Sequence, residues 1–120
     1  MLGSMEYACK VAGAMVVLVL GHQHCGAIKS AIDGVELGNI TELLSKITPV
    51  VDATGGFDDR TSANPDFVAA VTQANVAHTI GRIRAESPIL AEMEVNGEIA
   101  IVGAVYKLAT GEVDFLDMSI

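Results

Sequence analysis

His22 and Cys25, three residues apart, are the side chains of this 120-residue chain best suited to grip a metal ion. Zinc takes both imidazole nitrogen and thiolate sulfur. The pair also has a plainer reading, a buried thiol beside a loop histidine, because two ligands alone do not make a zinc site. His24 stands between them and can serve as a third ligand, or as a polar residue at the site mouth or helix start. A metal-free, redox-active Cys25 is a weaker alternative, since no resolving cysteine lies near in sequence.

The elements that must position this pair are legible around it. Met15–Leu20 is an unbroken apolar run with three valines, bounded by Gly21, and reads as a short strand buried on both faces of a parallel sheet. A helical pattern then opens at about His24 or Cys25 and ends near Gly34, with Ala27, Ile28, Ala31 and Ile32 inward and Lys29 and Asp33 in water. The pair therefore sits where a core strand hands over to a helix, the place where open α/β sheets keep their sites. Unpaired amides at a helix start favour an anion such as a thiolate, and Gly21 and Gly26 are expected to allow close backbone packing.

Before this block, Ser4 is expected to cap a helix through about Ala12, closed by Gly13, with Cys9 as a small core residue or, less simply, a metal ligand. After it, Asn39 is expected to cap a helix bearing Ile40, Leu43, Leu44, Ile47 and Val51, which Pro49 kinks or restarts. Thr54–Ala63 reads as a polar, glycine-bearing insertion within the domain. Asn64 and Pro65 open a long helix to about Ala85, whose apolar residues fall on more than one face, as for a helix covered by another subunit as well as its own sheet. His78 lies on its Phe67–Val71–Ala74 stripe and reads as a hydrogen-bonded core or interface histidine, with a ligand role as the alternative. Ser87-Pro88 starts a short helix to about Met93, and Asn96-Gly97 forms a tight turn. Glu98–Leu108, Thr110-Gly111 and Val113–Leu116 then read as strand, turn and partner strand. The expected fold is α/β: a three-layer-like parallel sheet core with flanking helices and a C-terminal β-hairpin, as one domain over residues 1–120.

Composition narrows the function classes. Half the residues are apolar, only 18% are charged, and mean hydropathy is +0.46, which points to surface that something covers. A net charge of −8 with no basic patch argues against nucleic-acid and anionic-membrane partners. Met15–Leu20 is too short to span a bilayer, and two cysteines give no disulfide framework, so a reducing, cytoplasmic setting is expected.

The chain resembles the β-class carbonic anhydrases. The matching residues are Ser4-Met5-Glu6-Tyr7-Ala8, Val19-Leu20-Gly21-His22-Gln23-His24-Cys25-Gly26-Ala27, Ile101-Val102-Gly103-Ala104-Val105-Tyr106, Thr110-Gly111 and Val113-Asp114-Phe115. The resemblance spans essentially the whole chain, and the strand-GHxxCGA-helix block is specific to that family. It implies that His22 and Cys25 are two of three protein zinc ligands, that a backbone N–H at Gly26 faces the anionic product, and that the reaction is reversible hydration of carbon dioxide to bicarbonate.

The family's third ligand and its catalytic Asp-Arg dyad lie in a C-x-D-x-R motif on a preceding strand. These 120 residues contain no such motif, Cys9 being followed by Lys10 and Val11. The resemblance thus implies a truncated domain one ligand short, unless a second chain, His24 or a nearby carboxylate completes the site. A second expectation is an impaired or inactive remnant that oligomerises or binds zinc weakly. Two family strands that would flank Met15–Leu20 are also missing, so self-association as a homodimer or higher homo-oligomer is expected.

Overall fold

The computed structural model describes residues 1–116. Three strands form one sheet in the order β1-β2-β3: Val16–His22, Ala100–Tyr106 and Val113–Phe115. β1 and β2 run parallel, with Val17 opposite Ile101 and His22 opposite Tyr106, while β2 and β3 close an antiparallel hairpin. The hairpin turn uses Gly111 at a φ of 76°, and its amide donates to Lys107 O at 2.8 Å. The expected α/β class, parallel core strands and C-terminal hairpin are therefore present.

The described residues include six α-helices: α1 Leu2–Glu6, α2 Gly26–Ile32, α3 Gly38–Ser45, α4 Thr48–Ala53, α5 Pro65–Glu86 and α6 Pro88–Val95. The last three carry proline in the first turn, where its missing N–H costs nothing. The Asn64 side chain accepts from Asp66 N at 3.2 Å, and Ser87 Oγ accepts from Leu90 N at 3.2 Å, so α5 and α6 are capped as their sequences imply. Ser87 is fully buried and donates to Glu6 Oε2 at 2.6 Å, which ties α1 to the start of α6.

The centre of the molecule is α5. Its C-terminal half packs Val76, Ile80 and Ile83 against Val17 and Ile101 of the sheet, Leu90 and Met93 of α6, and Cys9. Its N-terminal half packs Phe67, Val68 and Val71 against Ile28 and Ala31 of α2, Leu44 of α3, and Val50 and Val51 of α4. This corrects the sequence expectation for its second apolar face. The chain's own helices α2, α3 and α4 cover it, so no other subunit is needed there.

Four further expectations change. Helix α1 starts at Leu2, because Ser4 N and Met5 N already bond to Met1 O, and it passes into a π-helical stretch, Tyr7–Val11, that carries Cys9 into the core. Leu37, and not Asn39, is the residue that precedes the next helix, α3. His78 is exposed and so is not a core histidine of the single chain, because the buried positions of α5 continue through Val76, Ile80 and Ile83 instead. The largest change concerns β1, which is buried on one face only. Val17 is buried, yet Val16, Leu18 and Leu20 are 57%, 47% and 51% exposed, because α5 covers a single side of the sheet.

The Thr54–Ala63 segment is more than a solvated insertion. Arg60 donates to Val51 O at 2.8 Å and to Thr54 O, and its guanidinium lies 4.8 Å from the Phe67 ring centre. It thereby satisfies carbonyls at the end of α4. A second pin joins α5 to α6, where Arg84 makes two 2.8 Å hydrogen bonds to the Glu94 carboxylate. Those bonds hold the Arg84 guanidinium above the usual arginine range. The expected cost of Glu94→Gln is about 1 kcal/mol, the upper end for a two-pronged pair of this exposure, read from urea denaturation midpoints.

Candidate metal centre

The strand-to-helix handover takes three residues. His22 ends β1, and the next amide, Gln23 N, donates to Tyr106 O at 3.0 Å, carrying the ladder one residue further. His24 then adopts a φ of 57°, the left-handed region that costs a non-glycine residue roughly 1–2 kcal/mol. Cys25 returns to extended geometry as the N-cap of α2, and Lys29 N donates to Cys25 O at 3.0 Å. The Cys25 side chain makes no capping hydrogen bond, so the sulfur is left for other chemistry. The Gln23 side-chain oxygen is buried with no hydrogen-bond partner among the described residues, a second local cost at this turn.

His22 and Cys25 line one hollow of about 290 Å³ between β1, α2 and α5. Thr72, Asn75 and Thr79 of α5 share its wall, and among the described residues β1 has no strand partner on its outer edge. His24 is exposed and lines a different hollow. Gly26 is also exposed, at the first position of α2, where the opening amides have no intrahelical acceptor. The α5 polar residues escaped the sequence reading. Their signal is an uncharged polar set at i, i+3 and i+7, which shares one face of the helix.

Imidazole and thiol on one wall are the donor types that zinc accepts. Among the described residues no group of three or more His, Cys, Asp or Glu side chains converges on one point. The two donors fit part of a zinc shell, and any further ligand must come from beyond them.

The two glycines of the block differ. A Cβ at Gly21 would lie 3.0 Å from Val76 Cγ2 and 3.2 Å from Thr72 Cγ2, so its bareness lets α5 approach the end of β1. A Cβ at Gly26 meets nothing within 4 Å, contrary to the expectation of close packing there. Gly21→Val is therefore expected to cost roughly 1–3 kcal/mol by overpacking, while Gly26→Ala costs nothing, as denaturant midpoints would read.

An open α/β sheet with a histidine and a cysteine at its strand-to-helix switch defines the class of protein, and the comparisons then give the family. The carbonic anhydrase family model matches residues 1–113, and the chain belongs to that family, in its β class. It is 31% identical over 115 residues to carbonic anhydrase 2 of Mycobacterium tuberculosis, covering 92% of this chain and 53% of that protein. A carbonic anhydrase of Mycolicibacterium smegmatis is 30% identical over 118 residues, covering 94% and 54%. The chain thus spans about half the length of the curated relatives it matches.

Solved structures agree on the fold. The β-carbonic anhydrase CafA of Aspergillus fumigatus superposes with a TM-score of 0.81 at 18% identity, over 98% of this chain and 56% of that one. The Coccomyxa β-carbonic anhydrase in complex with acetazolamide gives 0.80 at 25% identity, over 96% and 52%. One of two tetrameric β-carbonic anhydrases from Sordaria macrospora gives 0.78 at 21% identity, over 95% and 58%.

Proposed function

We propose that this chain acts in the zinc-dependent, reversible hydration of carbon dioxide to bicarbonate, with His22 and Cys25 as two of the metal's protein ligands. The observation that carries the reading is their shared hollow at the carboxyl end of β1, in a chain that matches the carbonic anhydrase family from residue 1 to 113. When bound, zinc supplies the Lewis acidity that makes water acidic near neutral pH. The chain's own part is to orient and exclude. His22 is fixed by the β1–β2 ladder, Cys25 by the start of α2, and Ile28 and Val76 give the hollow an apolar wall. The Gly26 amide, exposed and without an intrahelical acceptor, offers a hydrogen bond to bicarbonate. The remaining ligand is expected from outside the described residues, a second chain included, and the whole is read as a single domain in a reducing, cytoplasmic setting.

A specific observation favours a second reading, a remnant that oligomerises or binds zinc weakly without turnover: no third ligand stands beside the pair among the described residues. Zinc per chain by elemental analysis, together with stopped-flow carbon dioxide hydration, separates the two. One zinc per chain with activity lost in Cys25→Ser supports the enzyme. Metal-free, inactive protein supports the remnant.

No helix among the described residues is long and apolar enough to cross a membrane.

A further inference from the structure

A second hollow, of about 440 Å³, is lined by Gln23 and His24 of the turn and shares Thr72 with the His22–Cys25 hollow. Its volume falls in the range of small-molecule sites, about 300–1,000 Å³. Its chemistry departs from that of the whole chain. The protein carries a net charge of −8 with seven Lys and Arg in all, and two of those seven, Lys29 of α2 and Lys107 after β2, line this one hollow.

Only one acid, Asp114 of β3, lines it with them, and that carboxylate is already paired with Lys107 at 2.9 Å. The pairing holds the Lys107 ammonium above the usual lysine range. Lys29 is half-buried and has no ion-pair or hydrogen-bond partner among the described residues. The hollow therefore holds one cation without an ion pair, while the nearby Asp33 carboxylate, one helical turn on, accepts from Ser62 of the lining. Its apolar lining is Pro65, Val68 and Ala69 of α5 and Val105 of β2, of which Val68 is buried and Ala69 exposed. The left-handed His24 is held at the same rim, where backbone cost is commonly retained for function.

We propose that this hollow binds a small organic monocarboxylate, its carboxylate on Lys29 and its hydrocarbon portion against Val68, Ala69 and Val105. One unpaired cation matches one negative charge, and the apolar wall matches a short hydrocarbon body better than it matches an inorganic oxyanion. Thr72 lines both hollows, so an occupant here packs against the same α5 residue that walls the metal pair. The assignment does not rest on the metal reading.

Titration of the full chain with butanoate, followed by amide and methyl NMR and repeated in excess chelator, tests it. The expected result is saturable binding with shifts at Lys29, Val68 and Val105, unchanged by the chelator. Butanamide and inorganic phosphate are each expected to bind at least about tenfold more weakly, as is butanoate to Lys29→Gln. Ala69→Phe, which fills the hollow from an exposed position, is expected to abolish binding and serves as a second variant should Lys29→Gln fold poorly. Binding that vanishes with the chelator, that is equal for butanamide or phosphate, or that survives Ala69→Phe would overturn the proposal, as would no saturable binding at all.

Discussion

Serine at position 25 is expected to lower zinc affinity by about a hundredfold or more while leaving the fold as stable as before. A thiol becomes an anionic ligand at accessible pH, whereas a serine hydroxyl does not, so the substitution leaves the His22 imidazole as the one donor of the pair. The same change is benign for folding, because Cys25 is the N-cap of α2 and makes no capping bond, and serine is among the best N-cap residues. Loss of metal is thereby separated from loss of structure, which most ligand substitutions confuse. His22→Gln is expected to act in the same direction. A competition titration against a chelating indicator reads the affinity, and urea denaturation of the metal-free proteins reads the fold. Unchanged zinc affinity in Cys25→Ser would remove that sulfur from the site.

The site was largely legible because its signals are local. An apolar run, a glycine and two soft ligands at a three-residue spacing lie within the eleven residues Met15–Cys25, and the chain between them has little freedom to depart from a strand, a turn and a helix start. The GHxxCGA block added the family. The caps of α5 and α6 were equally local, since Asn64-Pro65 and Ser87-Pro88 carry their own stop and start chemistry. What escaped depends on contacts distant in sequence. That β1 is bare on one face cannot be read from MVVLVL, because burial of a strand is decided by whichever helices pack on it, and here α5 packs on the Val17 side. The Lys29–Lys107 hollow joins residues 78 positions apart through the β1–β2 pairing, and no spacing rule brings them together. The two apolar faces of α5 were visible, but assigning the second to another subunit overlooked α2, α3 and α4, which fold back on its first half.

The bare sheet face leads to the other large effect. Val16, Leu18 and Leu20 of β1 stand in register with Ala100, Val102 and Ala104 of β2, and Ala104 and Tyr106 with Phe115 and Val113 of β3. In-register residues point to the same side of a sheet, so the exposed Val16, Leu18, Leu20, Val113 and Phe115 share one side, with the fully buried Ala104 in register between Leu20 and Phe115. An exposed apolar face of this kind is rarely left in water. The chain is therefore expected to self-associate at micromolar concentration through this face. Leu18 lies midway along β1, the edge strand of this face, and Leu18→Glu is expected to raise the dissociation constant at least about thirtyfold, corresponding to the 2 kcal/mol or more of a buried anchor side chain. Because Leu18 is 47% exposed within the chain, the same substitution should change the stability of a single chain by no more than about 0.5 kcal/mol. Salt supplies an independent check. Two copies each carrying −8 repel, so added salt is expected to tighten an association driven by apolar burial, where one held by ion pairs would loosen. Sedimentation velocity over a concentration and salt series reads both effects, and a monomer at micromolar concentration, or a Leu18→Glu protein that associates like the parent, would rule out this face as the contact.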